Sequence, residues 1–276
     1  MHKIFFIFLP LILISCAHKT IQKQKLNSFV IVVPSYNNID WFHKNINSII
    51  KQKYPNMRTI YIDDCSPDGT GPAVQKFVKK KKLKNFTFIQ NTTRVGALAN
   101  HYKSLQLCND TDIVVHLDGD DWFAHSQVLK RINHEYTTKN VWLTYGQFRN
   151  WPTKKIGWCK EIPQEIINKN QFREFGFCSA QPRTFYAWLG KKIHINDLYD
   201  SNENFYTVAG DTALMFPMLE MSASKFAFIN DVLYIRNIKT PINDYKIHQK
   251  EQERITRKIR KKKKYQPCTE SHQYIF

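Results

Sequence analysis

The sequence contains no Cys-x-x-Cys pair. Its six cysteines, Cys16, Cys65, Cys108, Cys159, Cys178 and Cys268, stand far apart, which excludes a zinc ribbon and a disulfide-dense scaffold. It also lacks the ~17–25 uninterrupted apolar residues that a spanning helix requires; the run Ile4–Ile14 is shorter and is broken by Pro10. No internal repeat is present. Acidic residues are scarce, 23 Asp+Glu against 41 Lys+Arg, a net charge of +18 over 276 residues. That imbalance points to anionic partners: nucleic acid, an anionic membrane face or a phosphorylated small molecule. With 42% apolar and 23% charged residues, there is enough material for a core, and wholesale disorder and fibrous classes are excluded. The length suits one ordinary domain or two small ones.

Lys3, the apolar stretch Ile4–Ile14 and then Ser15-Cys16 have the form of a secretory signal or a short membrane anchor over residues 1–16. Leu13-Ile14-Ser15-Cys16 resembles a bacterial lipoprotein box, which implies lipidation at Cys16 and a membrane-associated protein. Residues 17–28 read as a linker. From Phe29 onward the pattern changes. Phe29–Val33, Thr59–Ile62, Phe86–Ile89 and Ile113–Leu117 are short apolar strands. Between them, Phe42/Ile46/Ile49/Ile50, Ala73/Val74/Phe77/Val78 and Leu98/Tyr102/Leu105 mark helical faces. Strands alternating with helices predict an α/β unit with a largely parallel sheet. Further on, helices are expected over Ser126–Tyr136 and Thr212–Met221, and strands over Val141–Tyr145 and Val232–Ile235.

In such sheets ligands bind beyond the carboxyl ends of the strands, and those ends are informative here. Strand one runs into Pro34-Ser35-Tyr36-Asn37, strand two into Asp63-Asp64-Cys65-Ser66, and strand four into Asp118-Gly119-Asp120-Asp121. Five carboxylates on one edge of a basic protein repel unless something compensates them. A hard divalent cation, Mn²⁺ or Mg²⁺, suits carboxylate oxygens.

These motifs, in this order, resemble the family 2 glycosyltransferases of the GT-A fold, over about Phe29 to Arg236. Phe29–Asn37 is similar to that family's opening strand and its Pro-[Ser/Thr]-Tyr-Asn turn. Asp63-Asp64-Cys65-Ser66-Pro67-Asp68-Gly69-Thr70 is similar to the Asp-Asp-x-Ser-x-Asp-Gly-Thr segment, with Cys65 where glycine is commonest. Asp118-Gly119-Asp120-Asp121 is similar to the metal-binding Asp-x-Asp signature. Ala209-Gly210-Asp211 stands where the family has its catalytic acid, and Leu233-Tyr234-Ile235-Arg236 resembles its Leu-Tyr-x-Arg strand.

The resemblance implies a Rossmann-like nucleotide-diphospho-sugar transferase, a mostly parallel sheet flanked by helices. It also implies an inverting, metal-dependent enzyme that moves a sugar from a nucleotide donor, a UDP-sugar, to a glycan or lipid-linked acceptor. Pro34, Ser35, Tyr36, Asn37, Asp64, Arg94 and Asp118 would bind the nucleotide, Asp120 and Asp121 the metal, and Asp211 would be the general base.

The residues leave rival readings. Asp211 also suits a helix cap, Asp64 a turn acid, and the lysine runs a solvated face. The boundaries expected are a catalytic domain over 29–245 and a basic C-terminal extension over 246–276, the latter suited to an anionic membrane surface. The alternative function is an inactive, carbohydrate-binding surface lipoprotein on the same scaffold. Nucleic-acid binding rests on charge alone, and acids at the ligand edge oppose it, so no nucleic-acid partner is expected.

Overall fold

A computed structural model describes residues 25–240 and 248–269. The expected leader over 1–16, Cys16, most of the 17–28 linker and the 245/246 boundary lie outside the described residues. Among the described residues, no helix is long and apolar enough to cross a membrane.

Strand β1 (Phe29–Ser35) is buried along its whole length, because helices cover both faces of the sheet it centres. Successive side chains alternate. Phe29, Ile31 and Val33 join Phe42, Ile46 and Ile49 of α1 (Phe42–Ile50) on one face. Val30 and Val32 join Leu98 and Leu105 of α3 (Ala97–Gln106), with Met215 and Met218 of α8 (Gly210–Ser222), on the other. An apolar run without polar alternation is what two buried faces demand. β2 (Met57–Asp63), β3 (Phe86–Gln90) and β4 (Ile113–His116) complete a parallel block in the order β3-β2-β1-β4, with α1, α2 (Thr70–Lys81) and α3 as crossovers. Their carboxyl ends share one edge: Ser35 lies opposite Asp63, and Val32 opposite His116.

The second half extends the sheet through β7 (Thr184–Tyr186), β6 (Leu143–Trp151), β8 (Phe226–Asn237) and β5 (Trp122–Phe123). β7 is antiparallel to both β4 and β6, β6 and β8 run parallel, and β5 pairs antiparallel with β8. The eight-stranded sheet is therefore parallel on one side and mixed on the other. The helices of this half are α4 (Val128–Thr138), α5 (Gln164–Asn168), α6 (Phe172–Phe175) and α7 (Ala187–Lys191). The strand expected at Val141–Tyr145 continues to Trp151, and that at Val232–Ile235 is the second half of the twelve-residue β8.

The basic segment near the C-terminus contains a docked helix, α9 (Gln249–Lys261). Ile255 and Ile259, one turn apart, are buried in the core cluster that includes α8, while Arg257, Lys258, Arg260 and Lys261 stay exposed. Arg173 of α6 fixes it. Its Nη1 donates to the carbonyls of Ile259 (2.7 Å) and Lys262 (3.0 Å) at the end of α9, where carbonyls lack the i→i+4 donors of the helix interior. Its Nε and Nη2 donate to the two carboxylate oxygens of Glu220 in α8, at 2.5 and 2.8 Å.

Candidate active site

The turn after β1 is built by local hydrogen bonding. Asn37 adopts φ 56°, a left-handed conformation that asparagine tolerates better than most residues, and its N–H donates to Ser66 Oγ (3.0 Å). Ser35 Oγ accepts from Tyr61 Oη (2.8 Å) and from Asn38 Nδ2 (3.0 Å). Pro34 and Ser35 are thus buried scaffold, while Tyr36 and Asn37 are half-buried. The Arg94 guanidinium lies 3.9 Å from the centre of the Tyr36 ring, a cation–π contact that joins two residues 58 positions apart into one wall.

Asp64 faces the same wall. Its Oδ1 accepts from Asn91 Nδ2 (2.7 Å) and the Val95 N–H (3.0 Å), and its Oδ2 from the Gly96 N–H (2.8 Å). Burial alone would raise this carboxyl, but these donors outweigh it and hold Asp64 below the usual carboxylate range. Asp64 therefore organises the 91–96 loop that carries Arg94. The position of Asn91 beside the Asp64 carboxylate is visible only in the fold.

The four residues after β4 separate into different environments. Gly119 lies so close to the β1 turn that a Cβ would stand 2.7 Å from Asn38 Nδ2 and 2.8 Å from Ser35 Oγ, so the acid loop reaches the nucleotide turn only because this residue is glycine. Asp121 points inward. It is buried, its Oδ2 accepts from Tyr234 Oη (2.7 Å) and its Oδ1 from the Asn237 N–H (2.6 Å). Burial raises its carboxyl well above the usual range, with the Asp120 and Asp118 charges adding to the rise.

Asp121, expected from the sequence to hold metal, is the acid that the fold turns inward. Both of its oxygens are occupied in tying the acid loop to β8. Asp118 and Asp120 are half-buried. Asp118 Oδ2 accepts from Gln181 Nε2 (3.0 Å), and Asp120 Oδ2 from Thr240 Oγ1 (2.7 Å). Burial pushes Asp120 up to about 6, the Thr240 hydroxyl opposing and the Asp118 charge reinforcing. Among the described residues there is no group of three or more His, Cys, Asp or Glu side chains placed to hold a metal. Mg²⁺-type ions commonly take only one or two carboxylates together with substrate phosphates, and Asp118 and Asp120 are two acids close enough for the charge of one to raise the other.

Asp211 lies in the first turn of α8 and keeps a third of its side-chain surface exposed. Ala209, not Asp211, is the residue before the helix, and no side chain caps it. Asp211 Oδ1 does accept from the Thr212 N–H (2.7 Å), so part of the capping role is real, while Oδ2 faces Arg183 Nη1 at 3.6 Å. A Cβ on Gly210 would approach Leu98 Cβ to 3.1 Å. The start of α8 therefore rests on α3 just beyond the loop that Asp64 organises.

Sequence reasoning missed Gln181 and Arg183. They precede β7, two residues apart, so that one reaches Asp118 and the other Asp211. Nothing in the sequence sets Arg183 apart from 40 other basic residues. The Arg183 carbonyl accepts from the His116 N–H (3.1 Å), and the rings of His116 and His101 stack at 3.7 Å in the adjoining interior. Burial pushes His101 down to about 4 and His116 well below the usual range, and the Arg183 charge adds to both.

The profile of the family described as Glycosyl transferase family 2 matches residues 30–191, more than half of the chain. This chain belongs to that family. A crystal structure of residues 1–349 of Staphylococcus aureus TarS with UDP-GlcNAc is similar in fold, with TM-score 0.65 and 19% identity, covering 84% of this chain and 65% of that one. The mannosyltransferase PcManGT from Pyrobaculum calidifontis, solved with GDP-Man and Mn²⁺, gives TM-score 0.61 at 18% identity, covering 87% and 66%. These likenesses show the GT-A fold.

In sequence, the UDP-Glc:alpha-D-GlcNAc-diphosphoundecaprenol beta-1,3-glucosyltransferase WfaP of Escherichia coli is 26% identical over 118 residues, 43% of this chain and 45% of WfaP. The chain spans about half or less of the length of several other curated relatives.

Proposed function

We propose that this chain transfers a sugar, with inversion, from a nucleotide-sugar donor to a hydroxyl of a glycan or lipid-linked acceptor. The observation that carries the reading is the convergence on one segment, Gln181–Arg183, of the acid loop through Asp118 and of Asp211 at the head of α8. A donor-side carboxylate pair and a partly exposed acid on another element are what displacement at an anomeric carbon needs.

In this reading the Tyr36–Arg94 wall and the loop fixed by Asp64 receive the nucleobase, and Asp118 meets the ribose or the cation. Mn²⁺ or Mg²⁺ would be held by Asp118 and Asp120, and the ion would neutralise charge on the departing diphosphate. The negative charge crowded onto that turn, with Asp120 pushed up to about 6, fits such an ion. Asp211 Oδ2 takes the proton of the acceptor hydroxyl as it attacks, which is worth roughly 10²–10⁴-fold in rate. The Asp211 carboxylate is exposed enough to be reached from solvent and is oriented by Thr212 and Arg183. A donor from the UDP series is favoured by TarS, solved with UDP-GlcNAc, and a lipid-linked acceptor by the name of WfaP. The exposed basic face of α9 and the apolar run Ile4–Ile14 would hold the enzyme at an anionic membrane surface.

The test pairs binding with turnover. Thermal stabilisation by UDP- and GDP-sugars, with and without Mn²⁺, reads donor and ion. Sugar transfer by Asp211→Asn protein reads the base, with an expected fall of roughly 10²–10⁴-fold at nearly unchanged donor affinity. Full transfer in excess EDTA would remove the metal, and full transfer by Asp211→Asn would remove the base.

A further inference from the structure

Arg183 is buried, 4% exposed, yet its Nε and Nη1 have no hydrogen-bond partner. Among the described residues its ion-pair partner is Asp211, whose Oδ2 at 3.6 Å is beyond hydrogen-bond range. Leaving a guanidinium without partners in the interior is costly, and native proteins rarely do so without a reason. The surroundings add no relief. The stacked rings of His101 and His116 lie in the adjoining interior, and an imidazole brings no negative charge. The adjacent Gln181 amide is already directed at Asp118. The guanidinium is therefore a preformed, desolvated cation between the acid loop and the head of α8.

We propose that Arg183 is a substrate-contacting residue whose guanidinium pairs with an oxyanion of the nucleotide-sugar donor. The assignment rests on the donor reading given above. The shared chemistry is an anionic oxygen; a β-phosphate and a carboxylate on the transferred sugar both supply it.

The experiment is calorimetric titration of wild type, Arg183→Met and Arg183→Lys with UDP, UDP-glucose and UDP-glucuronate. Loss of a charge-assisted hydrogen bond should weaken binding roughly 10- to 100-fold in Arg183→Met. Arg183→Lys, which keeps charge but not the planar fork, should fall between. A loss shared by all three ligands assigns the contact to the diphosphate; a loss confined to UDP-glucuronate assigns it to a sugar carboxylate. Should Arg183→Met fail to fold, the lysine variant carries the same test with a several-fold loss expected. If wild type binds these ligands and both variants bind them equally well, the assignment is overturned while the donor reading stands. If wild type binds none of them, neither UDP nor a UDP-sugar is the donor and both fail together.

Discussion

The two ends of α8 carry the same pair of residue types and treat them in opposite ways. At its C-terminal end Glu220 is fully buried and meets Arg173 through two parallel hydrogen bonds, with Tyr265 N–H adding a third at 2.9 Å. Arg173 spends its remaining donor on the end of α9, and the chain after α9 is fastened again by Cys268 N–H to the Met221 carbonyl (2.9 Å). At the N-terminal end Asp211 and Arg183 stand 3.6 Å apart, the acid open to water and the arginine buried without a hydrogen bond on Nε or Nη1. The helix dipole sharpens the contrast, since it favours an acid at the first turn and disfavours one near the last. Glu220 is bonded by Arg173 through both oxygens in the core, whereas Asp211 keeps a third of its side-chain surface in solvent. A closed pair marks scaffold, and an open one marks a place where a third group is to arrive.

The largest effect expected follows from breaking the closed pair. Arg173→Met leaves Glu220 buried with its charge uncompensated and uncouples α9, and should cost about 3–5 kcal/mol in urea unfolding. Arg183→Met in the ligand-free protein should change stability by about 1 kcal/mol or less, because it removes a buried cation that makes few bonds and leaves Asp211 in contact with solvent. Equal losses at both sites would erase the distinction between the two ends.

A similar contrast runs through the acid loop. Asp121 is fastened at both oxygens and Asp120 at one, so Tyr234→Phe, which takes the 2.7 Å donor from a buried carboxylate, should destabilise by about 1–3 kcal/mol. Asp120→Asn should leave unfolding nearly unchanged and abolish any stabilisation by Mn²⁺. Stabilisation by Mn²⁺ that survives in Asp120→Asn would move the ion elsewhere.

The sequence makes the site's address legible but not its division of labour. Phe29–Val33 and Ile113–Val115 announce buried strands because both faces are covered, and the turn and acid residues after them need no tertiary information to be found. Within Asp118-Gly119-Asp120-Asp121 the three acids look alike. Which of them turns inward depends on Tyr234 and Asn237, more than a hundred residues away. The spacing of Ile255 and Ile259 is equally visible, yet the surrounding lysines and arginines outweigh it in any composition-based reading, and it takes the burial of both side chains and the carbonyl contacts of Arg173 to show that the helix is docked. Arg183 is the extreme case, because what distinguishes it is the lack of a hydrogen bond on Nε and Nη1 in three dimensions.

The smallest effect expected lies in the acid range and separates the charge of Arg183 from its bulk. His101 is pushed down to about 4 and His116 well below the usual range, against about 6.5 in an unfolded chain. Between those limits the unfolded state binds protons that the folded state refuses. Stability contributed by the neutral rings is therefore complete above about pH 6.5 and is lost as pH falls toward 4, at up to about 1.4 kcal/mol per pH unit for each histidine. Asp120, raised to about 6, titrates in the same window with the opposite sign, so only a difference between proteins is informative. Burial is the main cause of both histidine shifts and survives in Arg183→Met; the repulsion from Arg183 does not. In that variant the imidazoles should protonate at slightly higher pH in the folded state, and stability should fall less between pH 6.5 and 4.5 than in wild type, by a few tenths of a kcal/mol or more. Urea unfolding midpoints across that range give the comparison. A steeper loss in the variant would mean that Arg183 supports the histidines rather than opposing their charge, and would place it with the closed arginine at the other end of the helix.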